Sequence, residues 1–397
     1  MLSTDIRSAL ADTQLPAAAL EWSCRWCRSK AGVKVLDLGM QPAADSFPTA
    51  AQPEPDPTYP LAMVMCASCR LAQLESDPTS PAEPRGVEPA ALVEQAEAAI
   101  NQAVASGYVW RGGRALEYQS PHGGSWTTQL ERREMSCIAS GVADLIIDNF
   151  GLMHEAEQHV AFQERVSHMS ADAVLLVQFH SLAAITRLGI WNALRHGHFA
   201  YYSTPALVAM GQELNLTAIG AWEYSLYGGT VVLAFAREGS KWRQSSTVPA
   251  RIERELVAGV LEPERVAALG QSVRHSAQQV RDYVAAERAA GRKVSGYGAA
   301  SRSVSLLQSA QLTKNDLFTV ADASTAKHGR TLPGSRIPIV SPAELVAAQP
   351  DRVLLFVPDL LSEVRKAFPE IECNGGRWVV LNPNPVEVDP EMEIGAC

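Results

Sequence analysis

RALEYQSPHGGSWTTQLERREMSCIASGVADLIIDN (Arg114–Asn149) holds the two strand candidates on which the fold reading turns. Its ends, Arg114–Gln119 (RALEYQ) and Asp144–Asn149 (DLIIDN), are short runs with strand character. Working outward, Ala173–Phe179, Thr217–Trp222 and Gly229–Ala236 read as further strands, with helical stretches between several of them. Strand alternating with helix predicts an α/β layer fold. A second, smaller α/β unit begins at Arg292. Its strands are expected at Lys293–Tyr297, Leu317–Ala321, Arg352–Val357 and Trp378–Leu381. Helices at Ser303–Ser309, Pro342–Ala348 and Leu360–Ala367 make this unit Rossmann-like. Ala90–Ser106 and the Gln-rich stretch Glu262–Ala290 read as amphipathic helices.

The chain has 397 residues, more than one ordinary domain, so two or three are expected. Hydrophobic residues make up 47%, enough to build cores, and charged residues 19%, so the chain is globular rather than disordered. The formal net charge of −9, with no long basic run, argues against nucleic acid or an acidic membrane surface as partner. Met1–Trp22 lacks a basic region leading into an apolar run and is not read as a signal peptide. No apolar stretch approaches a membrane span. A cytoplasmic location without a membrane partner is expected.

Cys24 and Cys27 form one CxxC pair, and Cys66 and Cys69 another. Each pair puts two thiolates on one tight turn. Two such turns supply the closed S₄ shell that structural Zn²⁺ favours. A redox dithiol would need a CxxC opening a helix on a thioredoxin-like unit, which this sequence does not show.

CRWC (24–27), VLDLGMQPAADSF (35–47) and YPLAMVMCASCRLAQL (59–74) resemble the zinc-binding head of SAM-dependent C-methyltransferases that act on nucleotide-linked deoxysugars. VSGYGAASRS (294–303), KHGRTLPGSRIPIVSP (327–342) and GGRWVVLNP (375–383) are similar to that family's C-terminal domain. The resemblance implies three units. These are a zinc-binding domain at 1–75, a methyltransferase-like domain at 111–240 and a Rossmann-like domain at 292–397, with a linker and helix at 76–110 and connecting helices at 241–291. It also implies SAM in the middle domain and a 4-keto sugar nucleotide in the cleft between the middle and C-terminal domains. A base there removes the proton beside the ketone, and the enolate takes the methyl group.

Within this resemblance, Glu117, Ser120 and Gly123 match the cofactor turn ExGSxxG, but Gln119 replaces its first glycine and Pro121 stiffens it. Only residues 120–142 separate the first strand from the one resembling the fourth. Three crossovers and two strands would need roughly 46 residues, at about a dozen per crossover and five per strand. The second and third strands of the seven-stranded class I sheet are therefore expected to be missing, and with them the acidic residue that holds the SAM ribose. The family's tyrosine-rich loop is also absent, since no tyrosine lies between Tyr59 and Tyr108.

Arg195-His196-Gly197-His198-Phe199-Ala200-Tyr201-Tyr202-Ser203 resembles the family's YHEHLSYFS, with Arg195 in place of Tyr and Gly197 in place of Glu. The resemblance implies His196 and His198 as acid–base residues. Tyr202 is a candidate donor to an enolate oxygen. In Tyr227-Gly228-Gly229, Tyr227 replaces the family's His, and a strand-initiating turn is the expected role. Gly296-Tyr297-Gly298 follows a strand and opens a helix, so Ser301 and Arg302, with Lys327 and Arg330, could hold a diphosphate. Three functions remain open: a SAM-dependent C-methyltransferase, a SAM-independent isomerase, epimerase or lyase in the same cleft, and a non-catalytic relative that binds a ligand or a partner enzyme.

Overall fold

The computed structural model describes residues 18–19, 22–52, 55–79, 88–119 and 123–389, which form three sheets. The first contains β1 (Ala18–Ala19), β2 (Ala31–Pro42), β3 (Thr58–Cys66) and β4 (Ala72–Leu74), all antiparallel. β2 carries two register shifts against β3. A fifth strand, Ala200–Tyr201, pairs antiparallel with β4 and comes from far along the chain. The segment containing His196 and His198 is therefore anchored on the zinc head.

The second sheet contains β5 (Arg114–Gln119), β6 (Ser136–Cys137), β7 (Ala143–Asn149), β8 (Met169–His180), β10 (Leu216–Tyr224) and β11 (Thr230–Arg237), where β9 is Ala200–Tyr201 of the head. Its order is β10-β11-β8-β7-β5-β6. The first four of these in sequence run parallel, and β11 and β10 close the edge antiparallel. Val174 to His180 are all buried, as a central strand covered on both faces requires.

The expectation of two missing strands is corrected to one. β6 pairs parallel with β5 through Arg114–Ser136 and Ala115–Cys137. The short chain succeeds because its elements are minimal: a helix of 5 residues (Thr127–Glu131) and a strand of 2. Among the described residues, no strand lies beyond β6 in this sheet.

The third sheet contains β12 (Val294–Tyr297), β13 (Val320–Ala321), β14 (Ile339–Val340), β15 (Arg352–Leu355), β16 (Arg377–Leu381) and β17 (Pro385–Glu387). Its order is β14-β13-β12-β15-β16-β17, parallel except for β17. The long helix expected over Glu262–Ala290 breaks into Pro263–Ala267 and Leu269–Ala289.

One core runs through Phe47 and Met63 of the head, Trp191, Val280 of the long helix and Leu306 of the third unit. Ion pairing of Arg336 with Asp56, and the bond from Thr331 N–H to the Pro48 carbonyl at 2.8 Å, fasten the third unit to the head. No helix among the described residues is long and apolar enough to cross a membrane.

Candidate functional site

The four cysteine sulfurs of Cys24, Cys27, Cys66 and Cys69 lie within 4.8 Å of one another. The Cys24–Cys69 and Cys27–Cys66 separations are 3.5 and 3.6 Å. A tetrahedral ion with Zn–S bonds of about 2.3 Å needs edges of about 3.8 Å, so the shell fits zinc. Gln73 Nε2 donates to Cys24 Sγ at 3.2 Å and Ser68 N–H to Cys66 Sγ at 3.4 Å, orienting two of the sulfurs.

Between the middle and third sheets lies a cleft of about 510 Å³. It sits at the carboxyl ends of the parallel strands, where α/β sheets place their ligands. His154 follows β7 through the turn Leu152–His154, His180 ends β8, and Ser301 follows β12. All three line the cleft, as do Gly123, Arg195, His198, Arg302 and Lys327.

His198 and His154 meet edge to face, with ring centroids 4.3 Å apart. His154 Nδ1 donates to the Gly197 carbonyl at 2.9 Å. His198 Nε2 accepts from Arg195 Nε at 2.7 Å. The loop is held from behind: Gly197 N–H donates to Asp77 Oδ2 at 2.6 Å, and Arg195 N–H to the Tyr201 hydroxyl at 3.2 Å. Gly197 has φ 81°, a left-handed conformation in which the resembling family's glutamate would be strained. His154 escaped the sequence reading because it belongs to no matched motif. Its legible signal was a histidine just beyond the carboxyl end of an apolar strand.

Two other candidates from the histidine segment do not reach the cleft. His196 Nε2 donates to the Pro60 carbonyl at 3.1 Å, and burial lowers its pKa. Tyr202 is buried, its hydroxyl donates to Gln158 Oε1, and burial pushes its pKa well up. Both serve the junction of head and middle sheet.

At the opposite wall, the helix Ser301–Ser309 starts without a side-chain cap. Ser301 Oγ is buried and makes no hydrogen bond, while its helix offers uncapped N–H groups. Gly298 has φ +91°, and a Cβ there would meet Val357 Cγ2 at 2.6 Å, so the turn before this helix demands glycine. Lys327 Nζ donates to the Ala299 carbonyl at 2.9 Å, beside that turn. Arg330 lies elsewhere. It donates to the Phe47 and Ala326 carbonyls at 2.9 and 3.1 Å and ties the third unit to the head.

On the SAM side the match is poor. Glu117 accepts from Ser125 Oγ, Trp126 N–H and Thr127 Oγ1 at 2.6, 2.8 and 2.9 Å, capping the helix Thr127–Glu131. Gly123 lines the cleft at φ 98°, and Ser120 lies outside the described residues. Residues 138–142 after β6 contain no carboxylate, and the sheet has no strand beyond β6 to wall an adenine. The described residues therefore do not fit the nucleoside of SAM in the class I manner.

Comparison with known proteins agrees with the two ends of the chain. Residues 24–81 match a family model described as a zinc binding domain, and residues 225–383 match one described as a C-methyltransferase C-terminal domain. The C-methyltransferase NovU of Streptomyces niveus is 25% identical over 254 residues, 64% of this chain and 60% of NovU. Among solved structures, the magnesium protoporphyrin IX methyltransferase of Synechocystis matches at TM-score 0.29 and 11% identity, over 37% of this chain and 84% of that one. The 1,6-didemethyltoxoflavin-N1-methyltransferase of Burkholderia thailandensis matches at TM-score 0.29 and 10% identity, over 38% of this chain and 79% of its own. With its Cys₄ head and its C-terminal unit both matched, the chain is similar to C-methyltransferases at its two ends.

Proposed function

We propose that the cleft takes a phosphate-bearing keto substrate, of the nucleotide-linked keto-sugar class, and that the His154–His198 pair moves the proton beside its ketone. One observation carries this reading. Two imidazoles in edge contact at 4.3 Å stand on one wall of a cleft whose other wall presents Ser301, an uncapped helix N-terminus and Lys327. Helix N–H groups and an ammonium suit a phosphate. An imidazole suits proton abstraction from a carbon beside a ketone.

The proton leaves carbon for an imidazole, and the electron pair moves onto the carbonyl oxygen as an enolate. C-methylation of that enolate is the activity that NovU's name suggests for this chain.

The test is deuterium incorporation from D₂O into a nucleotide-linked 4-keto sugar, followed by proton NMR without SAM. Exchange in the wild type and its fall by about 10²-fold or more in His198→Asn and His154→Asn are expected. A wild-type rate equal to that of buffer would sink the reading.

A further inference from the structure

We propose that the reacting end of the cleft binds a carboxylate borne on the substrate's carbon skeleton, held between the guanidinium groups of Arg195 and Arg302. The substrate is then a keto acid, anionic at two ends. The inference rests on the reading of this cleft as the substrate site.

Both arginines line the cleft. Neither guanidinium has a carboxylate partner among the described residues. Arg195 spends its side-chain bonds on His198 Nε2. Arg302 lies over the Tyr227 ring at 4.8 Å and makes no side-chain hydrogen bond among the described residues. Asp359, one of four acids that line the cleft, accepts from Tyr227 N–H at 3.0 Å and forms no ion pair among the described residues. Burial, and then the Arg195 charge, lower the Arg302 pKa, while the Asp359 charge raises it. Two guanidinium charges facing one cleft repel each other, and a bound anion offsets that cost.

A third group narrows the ligand. His180 Nε2 is buried, lines the cleft and has no hydrogen-bond partner. Its ring lies 6.4 Å from that of Tyr227, the residue under Arg302. Burial first, then Arg302 and Arg195, hold this imidazole well below its ordinary pKa, so it is neutral and its bare nitrogen accepts. It suits a substrate hydroxyl beside the carboxylate.

Arg302 follows Ser301 on one helix, and the residues facing them distinguish this anion from the phosphate. Arg195 belongs to the loop of His198, whereas Lys327 and Ser301 flank the turn after β12. A guanidinium fork matches the planar carboxylate. Two cations beside the ketone also stabilise the enolate formed when the proton leaves.

The test titrates full-length, zinc-loaded protein with pyruvate, with pyruvamide as its neutral counterpart, and with inorganic pyrophosphate, by saturation-transfer difference NMR. Pyruvate is expected to bind at least tenfold tighter than pyruvamide. Arg195→Gln and Arg302→Gln are each expected to weaken pyruvate at least tenfold, and Arg195→Lys less. Saturating pyruvate should leave pyrophosphate affinity unchanged in the wild type. Equal binding of pyruvate and pyruvamide overturns the proposal without reliance on any variant. So does mutual exclusion of pyruvate and pyrophosphate, which would mean one anion site. Pyruvate binding as expected with no pyrophosphate binding would uphold the carboxylate site and remove the phosphate end of the proposed function.

Discussion

His196 and His198 stand two residues apart yet do opposite things, because the left-handed Gly197 between them turns one toward the head and the other into the cleft. Two histidines, His196 and His180, are held neutral by burial below their ordinary pKa of 6.5. Below that pH the unfolded chain takes up protons that the folded chain refuses. Stability therefore falls as pH drops below about 6.5, by up to about 1.4 kcal/mol per pH unit for each histidine. Urea midpoints measured at pH 5.0 and 7.5 should show the fall, and His196→Gln, which can still donate to Pro60, should reduce it. A slope unaffected by the substitution would mean that His196 takes up its proton in the folded state. Tyr202→Phe leaves Gln158 Oε1 without its tyrosine donor and should cost about 1–3 kcal/mol. Because Tyr202 does not line the cleft, deuterium exchange by the folded variant should stay within about twofold of wild type.

Among the elements, the turn Leu152–His154 is the one most exposed to loss. Asp148 at the end of β7 is fully buried, accepts from Leu152 N–H at 2.8 Å and pairs with Arg165 Nε at 2.8 Å. Arg165→Met would leave a buried carboxylate unpaired, at a cost of about 3–5 kcal/mol. Thermal denaturation would show this. If the variant is folded at low temperature, its exchange rate should also fall, since the same carboxylate fixes the turn that carries His154. A drop in stability with full exchange would separate the ion pair from the site. The elements around β6 were the least legible. Chain length correctly implied a shortened sheet, but a two-residue strand carries no periodicity to read. Only its pairing with β5 reveals it.

For the whole molecule, the zinc head and the cleft are one mechanical unit. β4 of the head pairs with Ala200–Tyr201, immediately after His198, and the head's Phe47–Pro48 loop bonds Arg330 and Thr331 of the third unit. Cys66→Ser or strong chelation should therefore lower melting temperature and deuterium exchange together, with zinc content followed by plasma mass spectrometry. Full exchange after complete zinc loss would show that the head does not position the histidine loop. Calorimetric titration with SAM is expected to show no binding below millimolar concentration. Micromolar binding would mean that residues outside the class I positions hold the nucleoside.

The cysteine spacing alone determined the metal shell, because two CxxC turns carry their own local geometry. Alternating strands and helices likewise determined the α/β layers, since apolar period and length are local properties of the chain. The spacing of His196 and His198 could not say which ring enters the cleft, because one backbone angle at Gly197 settles that. Nor could any local pattern join His154, His180, Arg195 and Arg302. They come from four separate segments, and they meet only because parallel strands gather their carboxyl ends at one edge and the third unit closes over it.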